Sequence, residues 1–213
     1  MRNTLFLFIL FTTQLFAQEY TPDQIIINGT TYNYNFHHME YYFKYNSMKR
    51  PSVNKDTTAL NRNYVALFAL ENNKMYLKDL KIKSKSSDKK YTKSVITKII
   101  NNDNERFLNW ISGLFYVGLG EALEKQTDTL HIDYPNYIVF ELKKGNVTRS
   151  DQFTLAQFKV FKNYQFERYI RTIEYKKTYQ YLKDNTTMTD FEIEGHIRKN
   201  IIFYSRKNML KDK

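Results

Sequence analysis

From Leu155 to Leu182 the chain carries neither glycine nor proline, and this stretch narrows the possible folds more than any other. Thr154-Leu-Ala-Gln157 opens it as a capping box, whose hydroxyl and amide satisfy N–H groups that the first helical turn leaves without partners. Phe158, Phe161, Phe166, Tyr169, Ile170 and Ile173 supply an apolar stripe, and Glu167 with Arg171 is a well-oriented i, i+4 pair. The spacing predicts one long helix from Leu155 to Leu182, broken at Asp184-Asn-Thr-Thr. Such a helix does not fit an outer-membrane barrel, which needs alternating strands around its whole circumference.

Ahead of the helix the pattern is that of hairpins. Ile25–Ile27 and the alternating Tyr32, Tyr34 and Phe36 flank Asn28-Gly29, the dipeptide that best tolerates the positive φ of a tight type I′ turn. Tyr64–Leu70 and the set Met75, Leu77, Leu80 and Ile82 flank Glu71-Asn-Asn-Lys74 in the same way. Lys83–Lys90 is too polar to pack and reads as a mobile loop. Val95, Ile96, Ile99 and Ile100 share one face of a short helix. Phe107–Gly120 holds the single tryptophan; Gly113, Gly118 and Gly120 would each cost a helix about 1 kcal/mol, so a strand with a glycine-bent end is expected. A further strand pair is expected over Thr129–Ile132 and Tyr137–Leu142, closed by Lys143-Lys-Gly-Asn146.

Two segments are less decided. His37–Met48 crowds aromatics without a period, and its class stays open as far as Pro51. Across Asp190–Tyr204, Thr189-Asp-Phe-Glu192 suits a helix cap, while Phe191, Ile193, Ile201 and Phe203 alternate around Arg198-Lys-Asn200; a hairpin is the reading adopted. The expected class is α+β, with antiparallel β-hairpins forming a curved sheet packed against a long C-terminal helix.

Residues 1–17 read as a secretory signal peptide: Arg2, an apolar run from Leu5 to Phe11, and cleavage after Ala17. A bilayer-spanning helix needs about 20 apolar residues, and a signal core only about 7–15. Residues 18–213 are then a single α+β domain, exported to the periplasm or secreted, with no integral span after cleavage. The chain has no cysteine, so neither a lipobox anchor at the new N-terminus nor a disulfide is expected. Its 18 Tyr and 16 Phe must hold the fold by burial instead. A mean hydropathy of −0.62 excludes a polytopic membrane protein.

The formal charge is +11, and part of it is concentrated in Lys81, Lys83, Lys85, Lys89, Lys90, Lys93 and Lys98 against Asp88. Lys83, Lys85, Lys89, Lys90 and Lys93 are the candidate anion-binding residues, although a lysine run is more often a solvated face. Catalytic patterns are scarce. His37 and His38 would point to opposite sides of a strand, and the pairs His38/Glu40 and His131/Asp133 fall short of the three or four ligands a metal needs. Ser112 lacks the leading glycine of a nucleophile elbow. Glu40, Glu121, Asp133 and Glu141 are available carboxylates. No phosphate-cradling glycine loop occurs, and no cofactor is expected. These residues suggest a non-enzymatic binding or interaction module whose partner is an envelope or secreted macromolecule or an anionic polymer. The alternative is a hydrolase of cell-envelope or extracellular polymer using two cleft carboxylates.

Leu60, Arg62, Tyr64, Val65 and Ala66, with Trp110, Ser112, Gly113 and Gly120 downstream, resemble an uncharacterised bacterial family. That family carries a Leu-Trp-Arg-Gly-Tyr-Val-Ala-x-Trp hairpin and a Trp-x-Ser-Gly segment ending in Pro-x-Gly. Asn61 and Asn63 replace its Trp and Gly, Phe68 its second Trp, and Gly118 its proline. The resemblance covers roughly residues 24–147 and implies a shared β-rich core without an assigned activity.

Overall fold

The computed structural model describes residues 21–51, 64–83, 91–123 and 132–205. The signal segment, the lysine loop after Lys83, and residues 129–131 of the expected strand lie outside the described residues. Eight strands form one sheet: β1 (Asp23–Ile27), β2 (Thr30–Tyr34), β3 (Tyr64–Glu71), β4 (Lys74–Lys83), β5 (Tyr91–Ser94), β6 (Gly113–Leu119), β7 (Asn136–Lys143) and β8 (Asn146–Thr154). Their order is β2-β1-β3-β4-β8-β7-β6, with β5 beside β4. The pairs are antiparallel except β1 with β3.

Turn chemistry sets the hairpins. Asn28 and Gly29, Asn72 and Asn73, and Lys144 and Gly145 all have positive φ, as type I′ turns require. At Gly145 glycine is needed twice over, since φ is +75° and an added Cβ would sit 2.7 Å from the Leu108 carbonyl. Both edges of β7 are occupied, by β6 and β8. Of the expected partner segment Thr129–Ile132, Ile132 alone is described, and it is not in a strand.

The sheet is two smaller sheets joined at a narrow waist. Between β4 and β8 the register contains Lys74 opposite Asn146, flanked by the Met75 N–H donating to the Gly145 carbonyl and the Val147 N–H to the Asn73 carbonyl, both at 2.8 Å. The sheet folds over at this waist, and its outer strands β2 and β6 approach without pairing. Phe36, just after β2, spans the gap with its ring centroid 5.1 Å from Phe115 and 5.3 Å from Tyr116.

Period two then sorts the side chains into two cores. Ile138, Phe140 and Leu142 of β7 face inward with Phe68, Leu77 and Val117. Tyr137 and Val139 face the opposite way, onto the C-terminal helices. This two-sided burial is why Tyr137–Phe140 is continuously apolar.

The C-terminal region corrects two expectations. The long helix is two, α3 (Leu155–Tyr169) and α4 (Ile173–Asn185), although the capping box at Thr154 is formed as expected. Thr172 makes the break: its Oγ1 donates to the Tyr169 carbonyl at 2.7 Å and accepts the Tyr175 N–H at 3.1 Å. A threonine side chain thus competes with the backbone ladder where no glycine or proline is present. Glu167 accordingly pairs with Arg198 at 3.6 Å rather than with Arg171, which lies beyond the end of α3. The tail is also helical, as α5 (Asp190–Lys199) and α6 (Ile201–Ser205), not a hairpin. A Thr189/Glu192 capping box starts it, and Ile193, Ile197 and Ile201 are fully buried at intervals of four while Phe191 is 88% exposed. The helical period wins because it buries every isoleucine on one side.

Two short α-helices, α1 (His38–Tyr45) and α2 (Ile96–Ile99), and two 3-10 turns, Ser47–Lys49 and Asp103–Arg106, complete the described elements. Among the described residues no helix is long and apolar enough to cross a membrane.

Candidate functional site

A cavity of about 840 Å³ opens where β2 and β6 fail to pair. One wall is the end of β2 and α1, another is β6, and α3 with the α5–α6 corner forms the third. Much of the lining is aromatic. Tyr137 and Phe158 stack with centroids 4.0 Å apart, and Tyr116 lies 5.1 Å from Phe158. Toward the other end, Tyr41 of α1 stacks on Trp110 at 5.8 Å and 20°.

The ionisable groups differ in how far they are committed. Glu40 accepts both guanidinium nitrogens of Arg50, at 2.9 and 3.0 Å, and the Tyr64 hydroxyl at 2.7 Å. Asp133 holds Lys159 at 3.0 Å. His38 is buried, with Nε2 2.7 Å from the Tyr34 hydroxyl and its ring 4.9 Å from Phe115. His37 Nδ1 lies 3.6 Å from the fully buried Asp23. Ser112 accepts the Lys144 N–H at 2.8 Å, so its hydroxyl helps fix the β7–β8 turn.

Lys162 is different. It follows Phe158 by one turn of α3, and its Nζ lies 5.3 Å above the Phe158 ring. Burial lowers its pKa below the ordinary lysine value; the Asp133 charge opposes that, and Lys159 and Lys199 add to it. Among the described residues no carboxylate is within ion-pair distance of Lys162, and the nearby Asp133 is paired with Lys159. Tyr137 is pushed up to about 12, chiefly by burial, although the Tyr134 N–H donating to its oxygen works the other way.

Of the lysines proposed from sequence, Lys93 is the one fully within the described residues. Lys93 is exposed on β5 opposite Ile82. The backbone of Lys83 ends β4, while its side chain and the whole of Lys85, Lys89 and Lys90 lie outside the described residues. Lys81 is 3.8 Å from Asp79. Neither Lys81 nor Lys93 lines the cavity. Of the four candidate carboxylates, Glu40 and Asp133 do, whereas Glu121 is exposed beyond β6 and Glu141 lies on β7 opposite Arg149. His38 and Glu40 sit on a helix rather than on one face of a strand. His131 lies outside the described residues.

Sequence reasoning missed Lys162. Its signal was present, since a lysine four residues after Phe158 interrupts the apolar stripe of α3 on its buried side. Among the described residues no group of three or more histidines and carboxylates is placed to hold a metal. Of the residues carrying the family resemblance, Leu60 and Arg62 lie outside the described residues, Tyr64–Ala66 open β3, and Trp110 and Ser112 line the cavity. Comparison with protein-family models, curated proteins and solved structures finds no match to this chain.

Proposed function

We propose that this chain is an exported, non-enzymatic binding module that holds its ligand in the cleft between β2, β6 and the C-terminal helices. The observation that carries the reading is an aromatic cavity of about 840 Å³, within the range of roughly 300–1,000 Å³ typical of small-molecule sites. Export rests on residues 1–17 alone, and mass spectrometry of the mature protein should find Gln18 at its N-terminus. Kinship with the Leu-Trp-Arg-Gly-Tyr-Val-Ala family is likewise proposed on sequence and contributes no activity.

The hydrolase alternative keeps one supporting observation, that Glu40 and Asp133 share the cavity wall. Against it, both carboxylates are engaged in ion pairs, Glu40 with Arg50 and Asp133 with Lys159. A set of small ring compounds tests the binding reading, with emission from the single tryptophan, a cavity residue, as the readout. Saturable, mutually competitive binders that shift Trp110 emission are expected, with no turnover. Absence of such binders, or cleavage of an envelope polymer that Glu40→Gln and Asp133→Asn abolish, overturns it.

A further inference from the structure

The cavity has a polarity that its aromatic lining does not explain. At the α3 end, Lys162 and Lys199 line it, and Lys159 stands beside them paired to Asp133. A side chain on the buried stripe of a helix is normally apolar, and a half-buried ammonium without a carboxylate partner is costly to keep. Its methylene stem can lie along apolar surface with the charge in water. Here, however, the charge stays over the Phe158 ring at the cavity wall. Phe158 in turn stacks on Tyr137 and contacts Tyr116. A positive group and stacked rings therefore lie side by side on one wall.

Resting on the binding reading above, we infer that the cleft is built for a ring compound bearing an anionic group, a carboxylate or a phosphate, which Lys162 receives while the ring lies among Tyr116, Tyr137 and Phe158. A neutral sugar would leave the ammonium unpartnered. A simple cation would meet Lys162 and Lys199 as like charges. An anion turns an unpaired half-buried charge into a paired one, and charge-assisted hydrogen bonds are the stronger kind. Lys162 is then retained at the expense of stability, a trade common at binding sites.

The test is calorimetric titration of the full mature protein with 2-naphthoate, 2-naphthyl phosphate, neutral 2-naphthol and dodecanoate, alongside thermal melting of each variant. At least one anionic naphthyl probe is expected to bind about tenfold or more tightly than 2-naphthol, the scale of one charge-assisted contact. Lys162→Met is expected to erase that preference, to leave 2-naphthol within about twofold and to melt no lower than the parent. Lys93→Gln, on the separate exposed strip, should change nothing. Equal binding of 2-naphthol and both anions overturns the anion requirement while the binding cleft stands. Dodecanoate binding in place of the naphthyl anions overturns the ring requirement. If none of the four binds, the anion inference falls with the cleft reading. A preference for anions that survives Lys162→Met removes Lys162 from the role.

Discussion

Tyr34, Tyr116 and Tyr137 all hold their phenol protons to higher pH than an exposed tyrosine, mainly through burial and further through Asp23 at Tyr34 and Asp133 at the other two. An acid whose pKa is raised in the folded state stabilises the fold fully below its unfolded value, and that contribution is lost as pH climbs through the folded value. Stability should therefore hold up to about pH 10 and decline toward about pH 12, where Tyr137 titrates. Tyrosinate absorbance followed beside thermal melting checks this, and Tyr137→Phe should flatten the decline. A single ordinary tyrosine titration with no loss of melting temperature contradicts it. Gly118 supplies a steric counterpart, because a Cβ there would overlap the Tyr134 ring at the cavity wall. Gly118→Ala should lower stability by about 1–3 kcal/mol in denaturant unfolding. At this scale much of the site was hidden. The lysine at 162 was visible as a break in the stripe, but its meaning depends on Tyr137, Asp133 and Lys199, which come from distant parts of the chain. Ser112 was visible too, and its hydroxyl is engaged with the Lys144 backbone.

Individual elements were legible where the signal is local. Asn28-Gly29 and Asn72-Asn73 specify their hairpins through positive φ, and the Thr154/Gln157 box marks the start of α3 to the residue. Legibility failed where two local signals competed. In the tail, alternation and a capping box overlap, and the buried isoleucines that decide between them acquire their partners only in the second core. At Thr172 the break depends on one hydroxyl, and the corner is further held by the Tyr169 hydroxyl 2.8 Å from Thr178 Oγ1. Thr172→Ala and Thr189→Ala should each cost about 1 kcal/mol, the usual loss for an N-cap. Because α5 and α6 supply the Lys199–Phe203 corner of the cavity, Thr189→Ala should also weaken probe binding. Unchanged unfolding midpoints for both variants would contradict the capping account.

At the scale of the molecule, the described residues form a sheet that folds at its waist and does not close, with a core inside the fold and another between the outer face of β6–β8 and the helices. Phe36 touches both cores and spans the seam. Phe140 lies fully buried inside, near Tyr34 and Phe115. Phe140→Ala should cost about 3–5 kcal/mol and unfold both cores in one transition. The α+β class followed from hairpin chemistry and a capped helix, whereas the cleft arises from strands distant in sequence meeting edge to edge without bonding. Under the proposed function this seam, not the lysine strip on β4–β5, receives the ligand. Amide chemical-shift mapping of the labelled protein during titration with 2-naphthoate separates the two. Shifts concentrated at Phe36–Lys44, Trp110–Gly118, Phe158–Lys162 and Lys199–Phe203 are predicted; shifts confined to the β4–β5 strip around Lys93, or none at saturating probe, would contradict it.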